Sequence, residues 1–166
     1  MVPGLRRVLV FSDPYSREQL AAARKAADAT GVALTVVEFD KQPYDVAAGF
    51  EAGVRERAQC FLVLNSGVHY SLWTALAEHA LKYRLPSICS ITYAESGALL
   101  GHGVDVRKLV GKTAELGVRI LKGAKPSDIP LEQVDDVELA INVRTAKALG
   151  LKVPESVLAR ATRLIE

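Results

Sequence analysis

Three short polar segments carry most of the side chains in this sequence that could bind or react. They are Ser12-Asp13-Pro14-Tyr15, Asn65-Ser66-Gly67-Val68-His69-Tyr70 and Thr92-Tyr93-Ala94-Glu95-Ser96. Each sets hydroxyl, amide or carboxylate groups beside a tyrosine ring, a mixture suited to holding a small polar organic molecule. Each also leads into an element whose first backbone N–H groups are free to meet a carboxylate. Taken singly, Asp13 and Ser16 read equally well as helix caps and Asn65 as a turn residue. Together, at the carboxyl edge of one parallel sheet, the three segments point to a ligand-facing rim.

Catalysis and metal chemistry find little support in the same residues. A hydrolase elbow needs G-x-S-x-G, and Asn65-Ser66-Gly67 lacks the first glycine. Asp13, Ser66 and His69 are the right types for a triad, but the sequence fixes no geometry among them. A small hydrolase built on Ser66 would lose its turnover in Ser66→Ala. A phosphorylated receiver needs an aspartate after the third strand, where this chain has Leu64-Asn65. The segment 97–103, GALLGHG, has neither a phosphate-loop lysine nor G-x-G-x-x-G. His69, His79 and His102 are scattered, and Cys60 and Cys89 lie in the apolar runs CFLVL and PSICSI. These cysteines read as core residues, with a disulfide between them open where their strands are neighbours, and no metal site and no cofactor is expected. Trp73 reads as a packing residue.

Composition narrows the class further. The 21 basic residues are interleaved with 19 acidic ones for a net charge of +2, which gives no phosphate-binding stripe and no nucleic-acid partner. No stretch is apolar enough to span a bilayer. The N-terminus has no apolar signal core, because Arg6-Arg7 lead straight into a strand, so no export signal is expected. With 166 residues the chain suffices for one ordinary domain.

The elements that must position these segments alternate. Strands are expected at 7–12, 32–39, 60–64, 87–91 and 98–101, the first a continuous β-branched run typical of a strand buried on both faces. Helices are expected from Ser16, with Gln19 completing a capping box, to Gly31, then over 44–57, 71–83 and 104–121. On the last of these Val106, Val110, Ala114 and Leu121 are expected to face inward. This succession predicts a three-layer α/β fold with a parallel sheet and right-handed crossovers. A proline-punctuated stretch follows, then an alternating strand at 137–142, a short helix stopped at Gly150 and a helix begun at Pro154.

Several motifs together resemble a known family. They are Phe11-Ser12-Asp13-Pro14 before an alanine-rich helix, Arg55-Glu56-Arg57-Ala58 before Phe61-Leu62-Val63-Leu64, and Tyr83-Arg84-Leu85-Pro86-Ser87-Ile88. To these add Tyr93 to Leu100, the run Ile120-Leu121-Lys122-Gly123-Ala124-Lys125-Pro126-Ser127-Asp128-Ile129-Pro130 with Glu132-Gln133, and Ile141-Asn142-Val143-Arg144-Thr145-Ala146-Lys147-Ala148-Leu149-Gly150. The chain is similar to the second lobe of the ABC transporter solute-binding proteins that include tryptophan- and tyrosine-associated components. The resemblance implies an open parallel sheet of order 2-1-3-4-5, a small-molecule ligand such as an amino acid, and no catalysis. It places ligand contacts at Ser12, Asp13, Tyr15, Asn65, Ser66, Tyr70, Glu95 and Ser96. Asn65-Ser66-Gly67 stands where the family often has an acidic or Asp-Pro-like sequence.

The resemblance also implies an extracytoplasmic location, an ABC permease as partner, and a first lobe that this chain does not contain. Residues 1–122 are expected to form one lobe, 123–136 a crossover, and 137–166 an extension that packs on that first lobe. A lone lobe should bind weakly. The extension's Leu139, Ile141, Leu149, Leu151, Val153, Leu158 and Leu164 are then expected to lack a partner and to drive a homodimer. The alternative function is a cytoplasmic ligand-sensing half-domain of the same fold.

Overall fold

A computed structural model describes residues 2–130 and 136–166. Seven strands form one sheet in the order β2-β1-β3-β4-β5-β6-β7. They are β1 (Arg7–Ser12), β2 (Ala33–Glu38), β3 (Cys60–Val63), β4 (Ser87–Cys89), β5 (Leu100–Val104), β6 (Val137–Asn142) and β7 (Arg163–Ile165). The first five run parallel in the expected order 2-1-3-4-5, with Val10 of β1 in register with Val36 of β2 and Leu62 of β3.

Both faces of β1 are covered, which is why its sequence is a continuous apolar run. Leu9 and Phe11 point to the face covered by α2 (Val46–Arg55) and α3 (Gly67–Lys82), and join Phe50, Phe61, Trp73 and Leu76 in the main core. Val8 and Val10 point to the other face, where α1 (Arg17–Thr30) adds Leu20 beside Cys60. The rings of Phe11, Phe50 and Phe61 meet at centroid distances of 5.1 to 6.2 Å. Helix α2 approaches the sheet closely because Gly49 and Gly53 lack side chains. A Cβ at Gly49 would stand 2.6 Å from the Phe11 ring, and one at Gly53 would stand 2.7 Å from Leu9. Cys60 and Cys89 are buried free thiols, and burial pushes the Cys60 thiol up to about 11.

Strand β5 lies at Leu100–Val104 instead of 98–101, β4 stops at Cys89, and α2 is confined to Val46–Arg55; three further boundaries differ for a local reason. Helix α3 begins at Gly67, not near residue 71, because Ser66 caps it by accepting from the His69 N–H at 3.1 Å. Helix α4 (Val106–Leu121) begins after Asp105, whose side chain accepts the Arg107 N–H at 2.9 Å. At the C-terminal end, α5 (Val143–Leu149) is followed by a single helical turn, α6 (Glu155–Leu158), and the chain then returns as β7. The extension is therefore strand, helix, short helix and strand.

The larger corrections concern which surfaces are buried. No residue of α4 is buried among the described residues, although Val106, Val110 and Leu121 are expected to face inward. Val110 is 62% exposed and Leu121 88% exposed. Conversely, β6 lies antiparallel beside β5, with Leu100 opposite Ile141 and Val104 opposite Val137. Ile141 is fully buried, and Leu149 packs with Leu99, Ala146, Leu151 and Val153. Of the extension's apolar residues Val137 and Leu164 stay open, at 50% and 48%. The expected crossover over 123–136 is described through Pro130 and again from Asp136; Glu132 and Gln133 lie outside the described residues.

Candidate ligand-binding site

The loops after β1 and β3 meet because their strands are neighbours and the helices they open, α1 and α3, start at the same sheet edge. Their junction is a buried hydrogen-bonded knot. Asp13 Oδ1 accepts the Tyr15 N–H at 2.9 Å, and Asp13 Oδ2 accepts the Ser66 hydroxyl. Ser16 Oγ accepts the Asp13 N–H at 2.9 Å and lies 3.3 Å from Ser12 Oγ. Ser12, Asp13 and Ser16 are all buried, and Ser66 is half-buried.

Gln19 does not close the expected capping box with Ser16. Its amide instead clasps the backbone of Asn65, donating to the carbonyl at 2.8 Å and accepting the N–H at 2.7 Å. That pair of hydrogen bonds ties α1 to the loop after β3. Sequence reading missed it because a helix-start motif is local and this contact spans 46 positions.

The structure brings together Asp13, Ser66 and His69, but in an order unsuited to acyl transfer. His69 Nδ1 lies 2.7 Å from the Leu64 carbonyl, which can only accept, so Nδ1 carries the proton. The Ser66 hydroxyl gives its own proton to Asp13 and its lone pair to the α3 cap. A nucleophilic serine needs an imidazole lone pair facing its hydroxyl. Here that lone pair, on Nε2, is buried with no hydrogen-bond partner. Burial holds the His69 pKa below its ordinary value, so the ring is neutral at neutral pH. The three residues serve to fix the loop.

The expected ligand contacts thus separate into two groups. Ser12, Asp13 and Ser66 form the foundation, with their polar atoms engaged. Tyr15, Asn65 and Tyr70 lie on the surface above, with Tyr15 82% and Tyr70 66% exposed. The Tyr70 ring stands 6.1 Å from that of buried Tyr93, which stacks on Trp73 at 4.4 Å. Trp73 in turn donates from Nε1 to the Ser96 carbonyl at 2.9 Å, pinning the turn that follows β4. That turn, Ile91–Ser96, is a short 3-10 helix.

Glu95 and Ser96 are exposed on this turn, but the Glu95 carboxylate is taken. It accepts from Arg107 at 3.0 Å and from Arg163 at 2.9 Å. Arg107 also bonds Asp105 at 2.8 Å, and its hydrogen bonds hold the Asp105 carboxyl down to about 2. A surface the sequence did not single out follows β2. There Phe39, Lys41, Tyr44 and Asp45 line a groove of about 520 Å³ against α2. Its aromatic pair, at 5.4 Å, was legible as the run FDKQPY. Among the described residues no group of His, Cys, Asp and Glu could hold a metal, and no helix is long and apolar enough to cross a membrane.

Known proteins share this architecture. A structure of the ABC domain in complex with L-Trp from Streptococcus pneumoniae superposes with a TM-score of 0.84 at 22% identity, covering 99% of this chain and 57% of that one. A conserved domain protein from Vibrio cholerae gives 0.84 at 24% identity, covering 98% and 56% respectively. The chain thus spans little more than half the length of these solved relatives. A tyrosine-binding protein of Clostridioides difficile is 42% identical over 57 residues, which is 34% of this chain and 16% of that protein. The description "ABC transporter substrate binding protein" matches residues 1–165, and the chain belongs to that family.

Proposed function

We propose that this chain supplies one face of an amino-acid binding site, as part of the solute-binding component of an ABC-type uptake system. The observation that carries the reading is the division of labour at the carboxyl edge. A buried Asp13–Ser66–Ser16 knot immobilises two loops, and on them Tyr15, Asn65 and Tyr70 stand exposed. Such a surface is preorganised without a ligand, which lowers the ordering cost of binding. Exposed tyrosine rings offer flat apolar area and a polar tip, suited to an aromatic amino acid. The ligands named for two relatives, L-Trp and tyrosine, are of that class.

In this reading Ser12, Asp13 and Ser66 position the rim, while Tyr15, Asn65 and Tyr70 touch the ligand. Ser96 borders the site and Glu95 braces it. The chain performs no catalysis, works outside the cytoplasm and delivers its ligand to an ABC permease. A second lobe encloses the ligand from the opposite side; a one-sided site alone leaves much of the ligand in water and binds weakly.

The test is an NMR titration of the chain with L-tyrosine and L-tryptophan into the millimolar range. Saturable shift changes should concentrate at residues 13–16 and 65–70 and should vanish in Tyr70→Ala. Shifts confined to other surfaces, or none at all, would remove the reading.

A further inference from the structure

We propose that the C-terminal segment belongs to the binding apparatus: Asn142, Thr145 and Arg163 are positioning residues that hold the turn Ile91–Ser96 in place at the ligand site. The proposal rests on the functional reading above and adds three residues which that reading leaves out.

The turn needs outside support. It is a 3-10 helix of six residues, and runs beyond about four are uncommon because 3-10 hydrogen bonds are poorly aligned. Ser90 gives it no side-chain cap, and the buried Thr92 hydroxyl has no hydrogen-bond partner among the described residues. The bond at its end, from the Gly97 N–H to the Ala94 carbonyl, is long at 3.4 Å. Yet the turn carries Ser96 at the border of the site and Tyr93 beside the exposed Tyr70 ring. A displaced turn would move Ser96 and withdraw the ring against which Tyr70 leans.

The support comes mostly from the C-terminal segment. Asn142 Nδ2 donates to the Ala94 carbonyl at 3.0 Å and Thr145 Oγ1 to the Gly97 carbonyl at 3.0 Å. Arg163 Nη1 donates to the Glu95 carboxylate at 2.9 Å. Ile91 and Ala94 are fully buried and pack with Ala140 and Ile165. The turn sits tightly on β5, because a Cβ at Gly101 would stand 2.8 Å from both Ala94 Cβ and Ile91 Cα. Helix α3 adds one bond, from the Trp73 indole to the Ser96 carbonyl, and α4 adds Arg107 to Glu95. The three C-terminal donors lie 48 to 68 positions along the chain from the groups they hold. The turn is therefore complete only once β6, α5 and β7 have docked. A site supported in this way is ordered before the ligand arrives, and loosening it adds an ordering cost to binding.

The test is an NMR titration of the whole 166-residue chain with L-tryptophan and L-tyrosine, alongside chemical denaturation. Thr145→Val keeps the side chain's shape and removes only the donor to Gly97, whereas Thr145→Ser keeps the donor. Thr145→Val and Arg163→Gln should each weaken binding about fivefold, the scale of leaving one side chain to be ordered by the ligand. In the ligand-free chain both should shift the indole N–H signal of Trp73, the single tryptophan. Thr145→Ser should restore affinity and signal. Leu149→Ala empties a buried site against Leu99, away from the turn, so it should lower the denaturation midpoint and leave affinity unchanged. Arg163→Gln, at a partly exposed position, decides the matter if Thr145→Val does not fold. Parental affinity in both variants would overturn the proposal. So would Leu149→Ala weakening binding as much as Thr145→Val, since the segment would then only stabilise the fold. A parent chain that does not titrate removes the functional reading and this proposal together; a parent that titrates, with both variants unchanged, removes this one alone.

Discussion

Helix α4 and strand β6 belong to one excursion from the same sheet edge, yet they meet their surroundings in opposite ways. Ile141 of β6 is fully buried in register with Leu100 of β5, its neighbour Ala140 packs with Ile91 and Ala94 of the turn after β4, and Asn142 locks the strand's end. The Asn142 side chain donates to the Ala94 carbonyl at 3.0 Å and accepts the Thr145 N–H at 3.0 Å, capping α5. Helix α4 is amphipathic too, but its apolar side faces out, with Leu121 88% exposed. The difference teaches that an apolar periodicity announces a face to be covered and leaves open what covers it.

The comparison breaks most readily at Ile141. Ile141→Ala should cost about 2–5 kcal/mol, the range for emptying a buried aliphatic site. A chemical denaturation midpoint unchanged from the parent would mean that β6 is not part of the core. Next in size, Asn142→Ala removes one cap and leaves the Ala94 carbonyl without its donor. A loss of about 1–2 kcal/mol is expected, against a negligible one if the tail merely lies on the surface.

Acid should distinguish the two regions. Arg107's hydrogen bonds depress the Asp105 carboxyl from 3.8 to about 2, and Arg107, Arg163 and Glu95 surround it. A depressed folded-state value means that the stabilisation is complete above about pH 4 and is lost as pH falls toward 2. Amide exchange of α4 should therefore accelerate in that window ahead of β6, and Asp105→Asn should abolish the step. Exchange rising equally in both regions would refute the separate anchoring of α4. The smallest effect is expected from Leu121→Ala, within about 0.5 kcal/mol for an exposed site. A loss of 2 kcal/mol or more would show that α4 is packed after all.

Much of the candidate site was readable because its signals are local. Strand β1 announced burial on both faces by its unbroken apolar run, and parallel order then placed Asp13, Ser66 and Tyr70 at one edge. What escaped were contacts between distant positions: Gln19 clasping Asn65, Trp73 pinning Ser96, and the Glu95 carboxylate held by Arg107 and Arg163. Glu95 is the instructive case. Its type suited a ligand contact, and nothing in its neighbourhood announced two arginines arriving from positions 107 and 163.

The sequence by itself determined the alternation of strands and helices, because periodicity, caps and punctuating motifs act over a few residues, and its family motifs implied the order of the parallel strands. Only the tertiary structure decided where the two apolar surfaces of the C-terminal third belong. Both are amphipathic in sequence. β6 finds an open edge at β5 whose N–H and C=O groups need partners, and hydrogen bonding draws its apolar side into the core. Helix α4 satisfies its own backbone internally and has no such requirement, so its position depends on an apolar partner, and this lobe does not supply one.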